Sequence, residues 1–308
     1  MSDGSQITPE EVVDGVYERY GRHPGYRALH AKGIFCKGIF TATPEAAALT
    51  RAAHMQGDPV EVTVRFSNAS GNPDAKDYVP DVRGMATQFH LPDGSRTDLS
   101  AQTAPNFPVK SPEAFVEAVQ ANVSGIARTW KIPLFLIRHP SAIPGLKANL
   151  EALAPRPSFA NYRYLAVHAF KWVNSEGAEQ YVRYTWIPAA GEEKISASEG
   201  NKRGPDYLQD EIRERLTGGT ARFTLQLQLA ERGDPVDDPT SHWPDERKTV
   251  AAGTLELTEA IESPEHDGHI DVFDPMRLTD GIEPSEDPIL RYRPSAYDVS
   301  ARRRWDQG

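Results

Sequence analysis

The stretch Val60-Glu-Val-Thr-Val-Arg-Phe-Ser67 alternates apolar and polar residues. A period of two residues predicts a β-strand, in which Arg65 and Ser67 project from one face and the apolar residues from the other. A face that carries arginine and serine could line a polar site or simply face solvent. From this stretch alone, we favour the solvent-facing interpretation.

Similar patterns on both sides of this stretch predict a chain of mixed secondary structure. Strands are expected in a hairpin formed by 170–173 and 181–187 and in the alternating stretch 223–229. Helices are expected from Pro9 through about Tyr20, from 112 to about 122, from 145 to 153 and from 206 to 216. The polar segment 190–204 is predicted to be a loop, and the apolar run 132–137, broken by a proline, is predicted to lie in the core.

Two residues far apart in the chain suggest a metal centre. Tyr297 lies in Arg293-Pro-Ser-Ala-Tyr297, and His30 lies in Arg27-Ala-Leu-His30-Ala-Lys-Gly33. A phenolate is a hard, anionic ligand that suits Fe(III), and a neutral imidazole on the opposite side of the iron can move the protons of a bound peroxide. Either residue alone is more typical of ordinary packing, so this pairing is a hypothesis that needs support from its surroundings.

Two arginines near Tyr297 give part of that support. Arg293 lies four residues before Tyr297, so on the first turn of a helix its guanidinium could reach the phenolic oxygen and favour the ionised form. Arg304 lies seven residues after Tyr297, about 10 Å along the same helix face, which is about the distance from a porphyrin iron to its propionates. Alternatively, Arg302-Arg303-Arg304 is a solvated basic helix end. The spacing leaves these two interpretations open.

Several segments, in order along the chain, resemble those of the haem catalase superfamily. They run from Arg27 to Arg304 and include Val64-Arg-Phe-Ser67, Asp81-Val-Arg-Gly84, Pro105-Asn-Phe107, Pro112-Glu-Ala-Phe115, His168-Ala-Phe-Lys-Trp-Val-Asn174, Phe273-Asp-Pro275 and the segment from Gly281 to Tyr297. Full-length catalases have additional segments before and after this core. Within the superfamily, the chain is therefore most similar to the small catalase-related peroxidases.

The resemblance implies a role for each matching residue. Tyr297 would be the iron ligand, and His30, Ser67 and Gln102 would be catalytic; in the family, an asparagine usually stands at the position of Gln102. The remaining roles would be haem contacts and support on the proximal side. Haem contacts are implied for Arg27, Arg65, Phe107, Phe115, Arg293 and Arg304, and proximal support for His168 and Asp287.

The fold implied by the resemblance is α+β, a catalase-like antiparallel eight-stranded β-barrel with surrounding helices. One haem-binding domain would span 1–308, with 1–8 as a flexible tail. The implied cofactor is haem b (iron protoporphyrin IX), and the implied activity is reduction of organic hydroperoxides and hydrogen peroxide through a high-valent oxo-iron intermediate, with weak catalase activity. True catalase activity, a fatty-acid hydroperoxide rearrangement and non-enzymatic haem binding remain alternatives.

Composition limits the partners. The net charge of −10 makes nucleic acid an unexpected partner, and no apolar run approaches the length of a membrane span. The expected partners are a peroxide and a small-molecule reductant, and a homo-oligomer is left open. Cys36 has no second cysteine to pair with, and the N-terminal residues lack the features of a signal peptide, so a cytoplasmic location is expected.

His266, Asp267 and His269 near Glu265 could hold a metal, but a charged surface loop is the favoured interpretation.

Overall fold

In the computed structural model, which describes residues 7–122, 128–265 and 270–305, ten antiparallel strands form one sheet within the described part. The strands are β1 (Gly33–Ala42), β2 (Val60–Asn68), β3 (Arg83–His90), β4 (Arg96–Gln102), β5 (Tyr164–Leu165), β6 (Phe170–Val173), β7 (Glu179–Pro188), β8 (Ala221–Leu229), β9 (Thr249–Ile261) and β10 (Ile282–Pro284). Eight of them close into a barrel in the order β1-β2-β3-β4-β5-β7-β8-β9, and β6 and β10 extend the sheet beside β7. The predicted eight-stranded antiparallel barrel is confirmed.

Helices surround the barrel. They are α1 (Pro9–Tyr20), α2 (Pro44–Leu49), α3 (Pro112–Ala121), α4 (Arg128–Arg138), α5 (Ile143–Ala152), α6 (Ala197–Arg203), α7 (Tyr207–Gly218) and α8 (Pro288–Trp305). The start of α1 follows from its sequence, because the Thr8 side chain and the Glu11 carboxylate cap each other's backbone N–H groups. No helix in the described ranges is both long enough and apolar enough to cross a membrane.

The interior of the barrel is filled by apolar side chains, and β2 shows how the wall separates this core from the candidate site. Val64 and Phe66 point inward, where Phe66 stacks on Phe159 at a centroid distance of 5.1 Å. Arg65 and Ser67 point to the outer face, yet only 5% and 4% of each residue is exposed. The solvent-facing interpretation of this strand is therefore wrong, because the segment before β1 covers its outer face.

Most predicted elements are confirmed to within a few residues, and three segments differ. Segment 190–204 contains the short helix α6, which Ser196 caps by accepting a hydrogen bond from the backbone N–H of Glu199. Helix α8 begins at Pro288 rather than near Arg293, so Arg293 lies in its second turn. The run 132–137 lies in α4 and is half-buried or exposed, because the barrel fills its interior with its own side chains and leaves α4 on the outside.

Candidate active site

His30 lies in the short segment between α1 and β1 and is held in an unusual backbone conformation. Its φ of 55° is in the left-handed region, which costs a non-glycine residue free energy unless the surroundings fix it. Two hydrogen bonds fix it here: the His30 N–H donates to the Ala69 carbonyl at 3.2 Å, and Arg65 Nη2 donates to the His30 carbonyl at 2.9 Å. The direction of the imidazole is therefore set by the conformation of the His30 backbone, which these two hydrogen bonds hold.

The His30 ring is oriented by β2 and β3. Its Nδ1 lies 2.9 Å from Ser67 Oγ, as the resemblance implies. The ring also packs against Gly84, where a Cβ would come within 2.7 Å of Ser67 Oγ and 3.0 Å of the imidazole. Any larger residue at position 84 would thus push the ring away. The sequence predicts no role for Gly84 beyond its place in the family segment Asp81–Gly84, so this steric role is seen only in the structure.

Burial keeps His30 neutral. Desolvation, followed by the positive charges of Arg65, Arg293 and Arg27, lowers the pKa of His30 to about 3. A neutral imidazole has one nitrogen that can accept a proton, which a general base for peroxide chemistry requires.

Gln102 sits opposite Gly84 in the β3–β4 ladder, so both residues face the same side of the sheet as the His30 ring. Its side-chain amide donates to the Ala104 carbonyl at 3.2 Å. The structure thus places Gln102 on the side of the candidate site that carries His30, which we call the distal pocket, and its amide points to the Ala104 carbonyl in its own loop. Phe107 and Phe115 also come together, with ring centroids 5.5 Å apart and the rings nearly parallel at 22°.

Tyr297 is held by Arg293 on α8. Arg293 Nε donates to the phenolic oxygen at 2.8 Å, and Nη2 of the same guanidinium donates to that oxygen as well. Two donors from one guanidinium fix the position of this oxygen. The spacing of four residues along a helix produces this contact, as predicted from the sequence.

Asp287 links the start of α8 to His168. Its Oδ1 accepts hydrogen bonds from the backbone N–H groups of Ile289 and Leu290, and therefore caps the helix directly before Pro288. Its Oδ2 lies 2.6 Å from Nδ1 of His168, which is placed in the break between β5 and β6. Burial, together with the charge of Arg293, keeps the pKa of His168 below its usual value despite this carboxylate, so Nδ1–H of the neutral ring donates the hydrogen bond and Asp287 accepts it.

The proximal support expected from His168 and Asp287 is therefore indirect. Within the described residues, neither side chain hydrogen-bonds Arg293, and His168 Nε2 is buried without a partner. Their effect on Arg293 and Tyr297 comes through the position of helix α8 and through electrostatics.

Three arginines from distant parts of the chain gather around Glu265, which follows β9. Arg27 forms two hydrogen bonds with the Glu265 carboxylate, at 2.7 and 2.8 Å, and Arg304 donates to the same carboxylate at 3.0 Å. Although burial acts to raise it, the pKa of Glu265 is held below its usual value by Arg27 and Arg304. Arg65 lies beside them and donates to the carbonyl oxygens of His30 and Ala31. We call Arg27, Arg65 and Arg304 the arginine cluster.

The surface-loop interpretation of Glu265 is wrong, because its side chain is only 15% exposed and is bound to the arginine cluster. His266, Asp267 and His269 lie outside the described residues. Among the residues that are described, no group of three or more His, Cys, Asp or Glu side chains is arranged to hold a metal ion. Of the three arginines at the end of α8, only Arg304 belongs to the arginine cluster. Arg302 and Arg303 lie at the surface, where they pair with Glu10 and Asp14.

The donor set fits the haem that the resemblance implies. The arginine cluster carries three positive charges against the single carboxylate of Glu265, which leaves two charges for the two propionates of protoporphyrin IX. The Nε atoms of Arg65 and Arg304 are buried without a partner among the described residues, and buried cations of this kind require an anion. Tyr297 offers the hard oxygen ligand that suits Fe(III).

The segment that carries His30 and helix α8 are in direct contact. The backbone N–H of Ala28 donates to Ser300 Oγ at 3.3 Å, and Ala28 packs with Val299 in a small apolar cluster beside Phe115. The same proximity explains why the charge of Arg293 acts on His30. The structure thus brings the two ends of the chain to one site.

Comparison with known proteins agrees with this arrangement. The family model described as Catalase matches residues 21–307. The chain is 43% identical over 304 residues to a "Catalase-related peroxidase" of Mycolicibacterium paratuberculosis, covering 99% of this chain and 96% of the relative. It is 33% identical to a "Catalase-related peroxidase" of Synechococcus elongatus, covering 97% of this chain and 89% of the relative.

Longer relatives match over part of their length. "Catalase-2" of Bacillus subtilis is 26% identical and is covered over 42% of its length. A fungal catalase crystal structure superimposes with a TM-score of 0.80 at 22% identity, covering 99% of this chain and 65% of that one, which supports the fold. The chain belongs to the catalase family of oxidoreductases that act on peroxide.

Proposed function

We propose that this chain is a haem-dependent peroxidase that reduces organic hydroperoxides and hydrogen peroxide, with weak catalase activity. One observation carries the proposal: a half-buried, neutral His30, oriented by Ser67, lies within the electrostatic reach of the same Arg293 that holds Tyr297. We further propose that one domain spanning 1–308 binds haem b in the cytoplasm, and that a small-molecule reductant completes the cycle.

The proposed roles follow from the contacts. Bound haem would supply a ferric centre with Tyr297 as its ligand and would accept the oxygen released by cleavage of the peroxide. His30 takes the proton from the hydroperoxide O–H and returns it to the departing oxygen, so that the O–O bond breaks heterolytically. Ser67 holds the imidazole, Phe107 and Phe115 exclude water, and the arginine cluster binds the propionates. Arg293 holds the phenolic oxygen of Tyr297 in place, and Asp287 with His168 fixes the start of the helix that carries both.

A steady-state comparison tests this function. We expect the haem-loaded protein to oxidise a dye with an alkyl hydroperoxide faster than it releases oxygen from hydrogen peroxide, because the longer Gln102 misplaces the amide that would orient a second hydrogen peroxide. Dominant oxygen release would identify a true catalase. Rearranged products from a lipid hydroperoxide in the absence of a reductant would indicate an isomerase.

Shortening Gln102 extends the same assay. In Gln102→Asn the amide can no longer reach the Ala104 carbonyl in its present geometry and takes the position usual in the family. A misplacement of about 1 Å can change a rate by on the order of a hundredfold, so we expect the ratio of oxygen release to dye oxidation to rise by about tenfold or more. Gln180→Asn, which alters an amide on β7 bonded to the Tyr181 and Ala230 carbonyls, is the matched control. An unchanged ratio in Gln102→Asn would remove Gln102 from the explanation.

The pH profile tests the state of His30. Because its pKa is lowered to about 3, His30 remains an unprotonated base as the pH falls and becomes charged only near that value. For an alkyl hydroperoxide, we therefore expect kcat/KM to show no loss from His30 protonation between about pH 8 and about pH 5. Stopped-flow measurement of the peroxide reaction provides the profile. An acid limb centred near 6.5, the usual value for histidine, would show that the ring is solvated rather than buried.

A further inference from the structure

Helices α4 and α5 present large apolar side chains to the outside of the molecule. Five of the eight exposed large apolar side chains in the described part of the chain lie on these two helices. They form what we call the apolar stripe: Trp130 (55% exposed), Leu134 (40%), Ile137 (77%), Ile143 (52%) and Leu150 (52%). The spacings of four and three residues place the first three on one face of α4.

The stripe continues across α5, which follows α4 after the short turn Pro140–Ala142. Ile143, Leu146 and Leu150 are spaced along one face of α5 and, with Glu151, line an open groove of about 450 Å³. The opposite side of α5 contacts the protein through small and polar residues. Gly145 packs on Asn106, and Asn149 Oδ1 accepts a hydrogen bond from the backbone N–H of Asn106 at 3.2 Å. An apolar surface of this kind on a folded protein generally marks an interaction site.

The charge around the stripe is opposite to that of the rest of the chain. Residues 128–150 contain four basic residues and no acidic residue, whereas the whole chain has a net charge of −10. The other residues therefore number 30 basic and 44 acidic, a net charge of −14. Glu117 on α3 partly offsets the segment by contacting Arg138 at 3.7 Å and His139 at 3.1 Å, and Glu151 lies at the end of the groove. Segment 128–150, which forms this surface, is thus apolar and basic in composition within an acidic protein.

An apolar stripe within a basic segment favours an anionic phospholipid surface over a second copy of the chain as its partner. A second copy that docked through the same surface would bring Lys131 and Arg138 near the same basic residues of the first copy, which opposes a two-fold contact. An anionic phospholipid surface instead provides an apolar layer for the stripe and negative headgroups for the basic residues, and tryptophan favours the boundary between these layers. Helices of 11 and 10 residues are too short to cross a bilayer but can lie in its surface.

We infer that α4 and α5 dock this protein on the surface of an anionic phospholipid membrane. The docked surface lies one layer from the candidate site: α4 packs on α3, which carries Phe115, and Asn149 of α5 binds the residue that precedes Phe107. A peroxide that forms on an acyl chain would then meet the protein beside its distal pocket. The docking surface itself does not depend on haem or on the proposed peroxidase activity.

Vesicle flotation with the full chain tests the inference. We expect the protein to float with vesicles of phosphatidylcholine containing about 30 mol% phosphatidylglycerol at low salt, and to stay in solution with pure phosphatidylcholine. The double variant Ile137→Glu/Leu150→Glu places two carboxylates on exposed positions of the stripe and should lower the partition coefficient by about tenfold or more. Val79→Glu, a 48% exposed apolar position outside the stripe, should bind like the wild type.

Three results would overturn the inference. The first is an absence of binding to the anionic vesicles, and the second is equal binding by the wild type and the double variant. The third is a dimer, detected by light scattering, that the double variant abolishes while vesicles bind neither protein; a second copy would then be the partner of the stripe.

Discussion

Replacing Tyr297 with phenylalanine is expected to remove the native ferric haem spectrum and to abolish peroxide turnover. The substitution keeps the ring but deletes the oxygen that receives both hydrogen bonds from Arg293, so it removes the only anionic iron ligand proposed for this side. Loss of a residue that merely supports a metal ligand costs 10–100-fold in affinity, and loss of the ligand itself should exceed about a hundredfold. Titration of apoprotein with haemin, followed in the Soret band, measures the effect.

Tyr292→Phe provides the control for this experiment. Tyr292 lies on the same helix, and its hydroxyl donates to the Ile7 carbonyl at 2.9 Å, so its loss tests general damage to α8. We expect Tyr292→Phe to bind haemin with a wild-type spectrum. If Tyr297→Phe also keeps that spectrum, Tyr297 is not the iron ligand.

Replacing His30 with alanine should separate haem binding from catalysis. The arginine cluster and Tyr297 are unchanged in this variant, so haemin should still bind. Cleavage of the peroxide bond should slow by about 10²–10⁴-fold, the usual contribution of a positioned general acid and base. Rapid mixing of the haem-loaded variant with an alkyl hydroperoxide measures the rate, while the Soret band reports occupancy.

Two further variants show whether the loss is specific to the distal pocket. Ser67→Ala removes the hydroxyl 2.9 Å from His30 Nδ1 and should cause a smaller loss than His30→Ala, because the backbone contacts of His30 and its packing on Gly84 still aim the ring. His139→Gln changes a histidine that contacts Glu117 away from the site and should leave the rate unchanged. Undiminished turnover in His30→Ala would favour a haem-binding protein without this catalytic role.

Local patterns in the sequence predict local structure well. The alternation at 60–67 corresponds to β2, and Thr8-Pro9-Glu-Glu11 corresponds to a capped helix, because strand faces and helix caps are set by neighbouring residues. The start of α8 could have been found in the same way, since Asp287-Pro288 is a cap followed by proline at the first helical position. Arg293 and Tyr297 also meet through helical spacing alone.

Features that depend on distant segments could not be predicted from the residues alone. Barrel closure joins β1 to β9 and β7 to β8, and only the family resemblance indicated it. The same holds for the approach of His30 to α8. Glu265 was missed because nothing nearby in the sequence shows that Arg27 and Arg304 surround it. The apolar composition of 132–137 predicts a core segment, but composition does not show that the barrel interior is already filled by other side chains.

The Glu265 carboxylate has a consequence for how the protein is made. Three guanidinium groups buried together without a counterion would repel one another and resist folding. Because the chain supplies its own acidic partner, the folded protein buries two net positive charges in this cluster rather than three before any porphyrin binds. Glu265 therefore lowers the electrostatic cost of folding without a prosthetic group, while the two charges that remain still favour the binding of an anionic one.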